Sequence, residues 1–329
     1  AMILNSSAFH KISTQFSRTI ASCLHQSLKS LVEAKSFDEI PELLSKCSHF
    51  QENPFATILH PLSSTQRNHI VDEILQSWIR IRPRLRLQSP YSHLLQCTLC
   101  AETPFPLSLA VLQHILRAGF SPDLSSQSKL SLAWRDRLQK RDSPEAILNE
   151  MNLLGYWPDT GTCNFIVSTL CAKDMVKEAW QIVNAMAGTW CAPDADTYGA
   201  VAAALCERRR AGDAAALVKE MVVGKGLMPR QSTIGKVVVG LKEIKEHRKS
   251  VKMVELLEDR GCAMQFHVYE NVVKCCAQCG DFVMAGKMMV KMMERGFIPY
   301  FNLRKMVIDG LVASGNSDIA TTVYQKFLS

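Results

Sequence analysis

Residues 195–230 read ADTYGAVAAALCERRRAGDAAALVKEMVVGKGLMPR, and this stretch decides the fold. With Ala195 as position 1, apolar or aromatic residues stand at positions 4, 7, 8 and 11 (Tyr198, Val201, Ala202, Leu205). They stand again at positions 20, 23, 24 and 27 (Ala214, Leu217, Val218, Met221). The spacing i, i+3, i+4, i+7 places four side chains on one face of an α-helix. Between the two stripes, Arg208-Arg209-Arg210 supplies a polar turn. Gly226 and Pro229 close the stretch. A glycine past a helix end takes the left-handed conformation, and a following proline forbids continuation. The stretch therefore predicts two antiparallel amphipathic helices and a stop.

The same punctuation recurs on both sides. Pro122, Pro158, Pro193, Pro229 and Pro299 are separated by 36, 35, 36 and 70 residues, the last gap being two periods of 35. Gly119, Gly155, Gly226 and Gly296 each precede one of them by three residues. The first-helix stripe becomes Cys163, Ile166, Val167 and Leu170 in 160–194, Ile234, Val237, Val238 and Leu241 in 231–265, and Tyr269, Val272, Val273 and Cys276 in 266–300. In 301–329 it is Val307, Ile308 and Leu311, with Arg304 in the fourth place. The second-helix stripe runs through Ala179, Ile182, Val183 and Met186, then Ser250, Met253, Val254 and Leu257, then Ala285, Met288, Met289 and Met292, and finally Ala320, Val323, Tyr324 and Phe327. A hairpin of this kind cannot bury its apolar faces alone, so neighbours must stack into a solenoid.

Composition agrees. Of 329 residues, 47% are hydrophobic and only 7% aromatic, a mixture suited to packed helices rather than a β-sandwich. The net charge is +7, and residues 225–329 hold 16 Lys+Arg against 10 Asp+Glu, so this last third carries +6 of it. That excess favours an anionic partner and equally suits solubilising charge. Twelve cysteines stand singly in apolar stretches or in the pairs Cys97/Cys100 and Cys276/Cys279. That usage fits a reducing compartment. The two pairs lie too far apart along a solenoid to share a zinc ion, and Cys276/Cys279 has no thioredoxin-like strand context for redox chemistry. No apolar run reaches the ~18 residues of a membrane helix.

Residues 2–32 contain no Asp or Glu, while Ser6, Ser7, Ser13, Ser17, Ser22, Ser27 and Ser30 recur among Lys11, Arg18 and Lys29. This resembles an organellar transit peptide, and from Arg18 onward it fits a first helix equally well. The expected organisation is a targeting segment or tail at 1–17, degenerate helical hairpins at 18–88, and repeats at 89–124, 125–159, 160–194, 195–230, 231–265, 266–300 and 301–329. The second helix of 125–159, near Ala146, is about two residues short of the lattice.

Further residues make the resemblance specific: Thr197-Tyr198, Leu170-Cys171, Leu205-Cys206, Cys279-Gly280-Asp281, Lys177-Glu178-Ala179-Trp180 and Pro193-Asp194. With the 35-residue period, the chain resembles a plant-type pentatricopeptide repeat protein of the repeat-only kind. The resemblance implies an all-α, right-handed superhelical solenoid that binds single-stranded RNA. It implies reading one base per unit, through the fifth residue with support from residue 35, and a sandwiching residue at position 2.

Carried onto this chain, the reading pairs are Asn164 with Asp194, Gly199 with Arg230, Gly235 with Gln265 and Glu270 with Tyr300, followed by Lys305. Asn164 with Asp194 matches the family's uracil pair. The glycines offer no side-chain reader, and Gly161, Asp196, Ser232, His267 and Asn302 are poor sandwiching residues. Backbone contacts are expected from Arg208, Arg209, Arg210, Lys242, Lys245, Arg248 and Lys249, aligned by stacking into one ridge. Arg80, Arg82, Arg84 and Arg86, alternating about Pro83, suggest an extended linker with one charged side.

No phosphate loop, His-Glu-x-x-His or nucleophile elbow occurs, and no deaminase or nuclease signature follows the repeats. The expectation is a non-enzyme without cofactor, metal, membrane or small-molecule substrate. It would act in organellar RNA metabolism, in the mitochondrion ahead of the chloroplast, with protein partners in an organellar complex. The alternative is a scaffold subunit of a larger organellar assembly, such as the mitochondrial ribosome, holding protein or ribosomal RNA without a base code.

Overall fold

The structure is a computed structural model that describes residues 23–46, 52–186, 188 and 191–328. The expected targeting segment at 1–17 lies outside the described residues. Every regular element among the described residues is helical. The chain divides into two compact units, residues 1–169 with 188–191, and residues 170–187 with 192–329.

The first unit contains α1 (residues 23–33), α2 (Ile40–Ser45), α3 (Ala56–Leu59), α4 (Ser64–Trp78), α5 (Gln88–Leu99), α6 (Leu107–Arg117), α7 (Leu124–Gln139), α8 (Pro144–Asn149) and α9 (Thr160–Ala172) through residue 169. Its core is built on large aromatic residues. The fully buried Trp78 meets Tyr91 edge-on at 5.0 Å and Phe55 at 6.4 Å, and its indole N–H donates to the carbonyl of Phe37 at 2.9 Å. A second buried indole, Trp134, stands edge-on to Phe105 at 5.6 Å. The Tyr156 hydroxyl donates to Asp72 at 2.5 Å and ties the end of this unit back to α4.

Two local expectations need correction here. Residues 80–86 are not an extended linker: Arg84–Leu87 form a 3-10 turn leading into α5, and the Arg82 guanidinium folds back onto the carbonyls of Ile79 and Ile81. The buried Leu87 pulls the segment inward, and burial outweighs the alternation of charges. The short second helix of 125–159 consists of α8 followed by a 3-10 stretch, Glu150–Leu154, which ends at Gly155 in the left-handed conformation (φ 75°). A 3-10 stretch rises faster per residue and so makes up for missing residues.

The second unit repeats one hairpin. It contains α10 (Val176–Met186), α11 (Ala195–Glu207), α12 (Ala211–Gly224), α13 (Gln231–Glu243), α14 (His247–Asp259), α15 (Phe266–Gln278), α16 (Phe282–Glu294), α17 (Phe301–Ala313) and α18 (Ser317–Leu328). The first helices begin at 195, 231, 266 and 301, and each second helix begins 16 residues later. Position 15 of every hairpin is left-handed: Arg209, Lys245, Gly280 and Gly315 here, and Asp174 before α10. In each turn the next residue's N–H reaches back five residues, as from Arg210 to Leu205 O and from Asp281 to Cys276 O, which satisfies carbonyls at the helix end.

Positions 4, 7, 8 and 11 of α11, α13 and α15 are buried, as are positions 20, 23, 24 and 27 of α12, α14 and α16. The last hairpin departs from the pattern. Tyr324 is 57% exposed. Arg304 is half-buried, its guanidinium 4.8 Å from the Phe327 ring centroid. Small residues set the spacing: a Cβ on Gly310 would lie 2.2 Å from the ring of Phe282 on α16, and one on Gly240 would lie 3.0 Å from the Ala211 Cβ.

One carboxylate locks three helices of this unit together. Glu258 on α14, 4% exposed, accepts from the Tyr269 hydroxyl of α15, from Lys291 of α16 at 2.5 Å and from Arg295 at 3.2 Å. Burial works to raise its pKa, but Lys291, Tyr269 and Arg295 together outweigh burial and hold it below the usual carboxylate range. A depressed folded pKa contributes stability that is present above the unfolded carboxyl value and lost as pH falls through the folded one. Glu258→Gln is therefore expected to lower the unfolding free energy by ~2 kcal/mol near neutral pH, discounted because both cations are partly solvated. Urea titrations at about pH 7 and about pH 3 should show the gap to the natural sequence narrowing in acid. A gap equal at both would assign the loss to packing rather than charge.

Candidate nucleic-acid interface

In the second unit α11 packs on α13, α13 on α15 and α15 on α17, forming a layer of first helices. With positions 4, 7, 8 and 11 turned into the core, helical geometry turns positions 2, 6 and 9 to the opposite face. Asp196, Ser232, His267 and Asn302 at position 2 are all exposed there. Position 5 lies at the edge of this face, toward the following hairpin.

Position 5 is where this chain differs most from a row of readers. At Gly199 an added Cβ would lie 2.8 Å from the Thr233 Oγ1, and at Gly235 one would lie 2.9 Å from the His267 Nε2. A side chain at position 199 would meet the buried Thr233, and one at position 235 would have to displace the exposed His267 ring. Glu270 is half-buried and paired with Lys274 at 2.7 Å. Lys305 is exposed, with no ion-pair partner among the described residues. Asn164 is half-buried on α9 and belongs to the first unit.

The position-35 residues precede the first helices. The Asp194 carboxylate caps α11 by accepting from the Asp196 and Thr197 N–H groups, both at 2.9 Å. Arg230, Gln265 and Tyr300 occupy the same cap position and make no side-chain cap bond. The Arg230 guanidinium instead grips the Asp196 carboxylate through two nitrogens, so it is engaged across the hairpin boundary. Gln265 is exposed. Tyr300 is 63% exposed and stands edge-on to Phe266 at 5.2 Å.

The basic candidates separate into two groups. Arg208 is structural: it pairs with Asp174 and donates to the carbonyls of Cys171 (3.1 Å) and Ala204 (2.8 Å), leaving it 24% exposed. Lys242 lies in the last turn of α13 rather than in the loop, and donates to Asn271 Oδ1 at 2.7 Å. Arg209, Lys245 and Arg248 are exposed, without an ion-pair partner among the described residues. Arg210 and Lys249 carry local partners, Asp213 at 2.7 Å and Glu246 at 3.3 Å. Successive turns do lie against each other: Arg208 reaches Asp174, and the Cys279 thiol donates to Lys245 O at 3.3 Å. The Lys249 ammonium lies 3.1 Å from where a Gly212 Cβ would be, beside the Arg209-Arg210 turn.

Sequence reasoning passed over Lys236 and Lys274. They occupy positions 6 and 9, on the outward face, and Lys236 is exposed without an ion-pair partner among the described residues. Their place in the 3.6-residue period was the available signal. No group of three or more potential metal ligands occurs among the described residues, and no described helix is long and apolar enough to cross a membrane.

A protein of stacked helical hairpins with a 35-residue period, presenting one polar face of its first helices, defines a helical-repeat class of binding protein. Models of the PPR repeat match residues 158–207 and 267–297. A pentatricopeptide repeat-containing protein of Arabidopsis thaliana, At1g06270, is 40% identical over 316 residues, covering 94% of this chain and 92% of its own. The chain belongs to the pentatricopeptide repeat family. The Arabidopsis small ribosomal subunit protein mL103 (rPPR7) is 27% identical over 124 residues, 37% of this chain and 30% of its own. Among solved structures, maize PPR10 in complex with an 18-nt psaJ RNA element matches with a TM-score of 0.40 at 15% identity, over 93% of this chain and 53% of that one.

The close approach at position 5 yields a direct expectation. Gly199→Asn should destabilise the protein by ~1–3 kcal/mol through overpacking against Thr233, read as a lower urea midpoint. Adding Thr233→Ala should recover part of the loss. A Gly199→Asn protein as stable as the natural one would show that the gap between α11 and α13 opens freely.

Proposed function

We propose that this chain is a non-catalytic RNA-binding helical-repeat protein acting in organellar RNA metabolism, in the processing, splicing, stability or translation of transcripts, with the mitochondrion ahead of the chloroplast. The observation that carries the reading is the set of exposed cations of the second unit without an ion-pair partner among the described residues. Arg209 and Lys245 occupy the same left-handed turn position of consecutive hairpins, Arg248 follows Lys245 at the start of α14, and Lys236 and Lys305 lie on the first-helix layer. Exposed cations of this kind suit a phosphate backbone. Family membership supports single-stranded RNA as the polyanion, and Asn164, at the family's base-reading position, supports one specified base.

A second reading is a scaffold subunit of a larger organellar assembly. It draws on the closed gaps at Gly199 and Gly235, which suit binding without a base code. The partial likeness to a small ribosomal subunit protein also favours it.

Binding to pooled single-stranded RNA separates the two. The triple variant Arg209→Glu, Lys245→Glu, Arg248→Glu is expected to weaken binding at least about ten-fold and to flatten the salt dependence by about two to three. Asn164→Ala is expected to lose ~1 kcal/mol of preference at one base. Motif-free binding that neither change affects, together with a ribosomal particle co-purifying from the organelle, would favour the scaffold.

A further inference from the structure

At the end of α5, in the first unit, two cysteines and a lysine form a cluster that RNA binding does not use. Cys100 is the exposed C-cap of the helix, and its Sγ lies 3.1 Å from the Nζ of Lys129 on α7. Cys97 stands one turn earlier. It is buried, and its Sγ is 3.7 Å from the His60 Nε2. An open pocket of about 470 Å³, lined by His60, Ser64, Arg67, Cys100, Glu102 and Thr103, gives small solutes access to the Cys100 sulfur. Two cations, Lys129 and Arg67, border this sulfur and its pocket against one carboxylate, Glu102.

We propose that Cys97 and Cys100 form an oxidisable dithiol, in which Cys100 is the nucleophile toward peroxides and Cys97 the resolving thiol. The roles follow from exposure and charge. A reactive cysteine needs access and a neighbouring cation, and Cys100 is exposed, lines the pocket and has the Lys129 ammonium at 3.1 Å. Cys97 lacks the access: burial pushes its thiol up to about 12 against a smaller opposing effect of Arg67, so at neutral pH it keeps its proton.

In the first step the Cys100 thiolate attacks the outer oxygen of a hydroperoxide. An S–O bond forms, the O–O bond breaks, and the alkoxide leaves with a proton drawn from the Lys129 ammonium or from water. Sulfur is oxidised by two electrons and the peroxide is reduced to an alcohol. In the second step the Cys97 thiol passes its proton to His60 and attacks the Cys100 sulfur. The S–S bond forms, the S–O bond breaks, and the hydroxide leaves as water by taking a proton from the His60 imidazolium or from solvent.

Side chains three apart on a helix have Cβ atoms ~5–6 Å apart, and a disulfide needs ~3.5–4.5 Å. The product therefore requires Cys100, the C-cap of α5, to shift by ~1–2 Å toward Cys97 and to loosen its N–H bonds to the Gln96 and Cys97 carbonyls, with non-helical residues 101–103 following it.

The full chain is treated with hydrogen peroxide in the presence of dimedone, and each cysteine is followed by peptide mass spectrometry. The natural sequence is expected to form the Cys97–Cys100 disulfide before Cys23 or Cys262 reacts. Cys97→Ser should accumulate dimedone-labelled Cys100 instead. Lys129→Gln, a half-buried position outside the core, should slow Cys100 oxidation about ten-fold and leave the Cys262 rate unchanged. Circular dichroism on each variant confirms that the helices are intact, and Cys97→Ala serves if the serine variant is not. Oxidation of Cys100 no faster than Cys23, or at a rate indifferent to Lys129→Gln in the folded protein, would overturn the proposal. So would labelling of Cys100 in the natural sequence without disulfide formation.

Discussion

Burial of one hairpin's apolar stripes by the next is the constraint on which the second unit depends. Each fully buried Val, Leu or Met contributes ~1.5–3 kcal/mol, and part of that depends on the next hairpin. Val238, Val254 and Leu257, at positions 8, 24 and 27, are wholly buried, and α15 packs on both α13 and α14. Tyr324, at the equivalent position of the last hairpin, is exposed. The identical turn geometry at Arg209, Lys245, Gly280 and Gly315 follows from this requirement. Hairpins that stack at a constant pitch must reverse direction in the same way, even where a basic side chain has to adopt the left-handed backbone that glycine takes elsewhere.

The same close packing shapes the candidate interface. At Gly199 and Gly235 the space beside position 5 is occupied by the Thr233 and His267 side chains, and glycine itself offers no side-chain reader. Charge then becomes the available means of holding a polymer, and the cations without an ion-pair partner among the described residues lie at turn and outward-face positions that stacking leaves in solvent. Arg208 and Arg230 show the competing use of arginine. Both guanidinium groups are committed to carboxylates of a neighbouring hairpin, so they contribute to stacking rather than to a ligand.

The first unit solves its packing differently. Its helices are less regular, from 4 to 16 residues long, and wide aromatic side chains such as Trp78, Tyr91 and Trp134 fill the spaces that a regular lattice of aliphatic residues fills in the second unit. That irregularity leaves open pockets, and one of them exposes the Cys100 sulfur beside Lys129. In the second unit Cys276 is buried in a stripe and the Cys279 thiol is bonded to a carbonyl, which leaves that similarly spaced pair without an exposed, cation-bordered sulfur.

Helix type, hairpin length and the buried stripes of residues 195–311 were legible in the sequence, because a 3.6-residue period and a Gly-x-x-Pro stop are local signals that each repeat states again. The family was legible for the same reason. The turn at Arg84–Leu87 was not, since alternating arginines look alike in a strand and in a 3-10 turn until Leu87 is known to be buried. Nor could the sequence sort its basic residues. Arg208, Arg209 and Arg210 are adjacent and chemically identical, yet one clamps Asp174, one is exposed without an ion-pair partner and one holds Asp213. Which arginine remains available to a ligand depends on what the preceding hairpin places within a few ångströms, and that is a property of stacking between segments about 35 residues apart rather than of any local pattern.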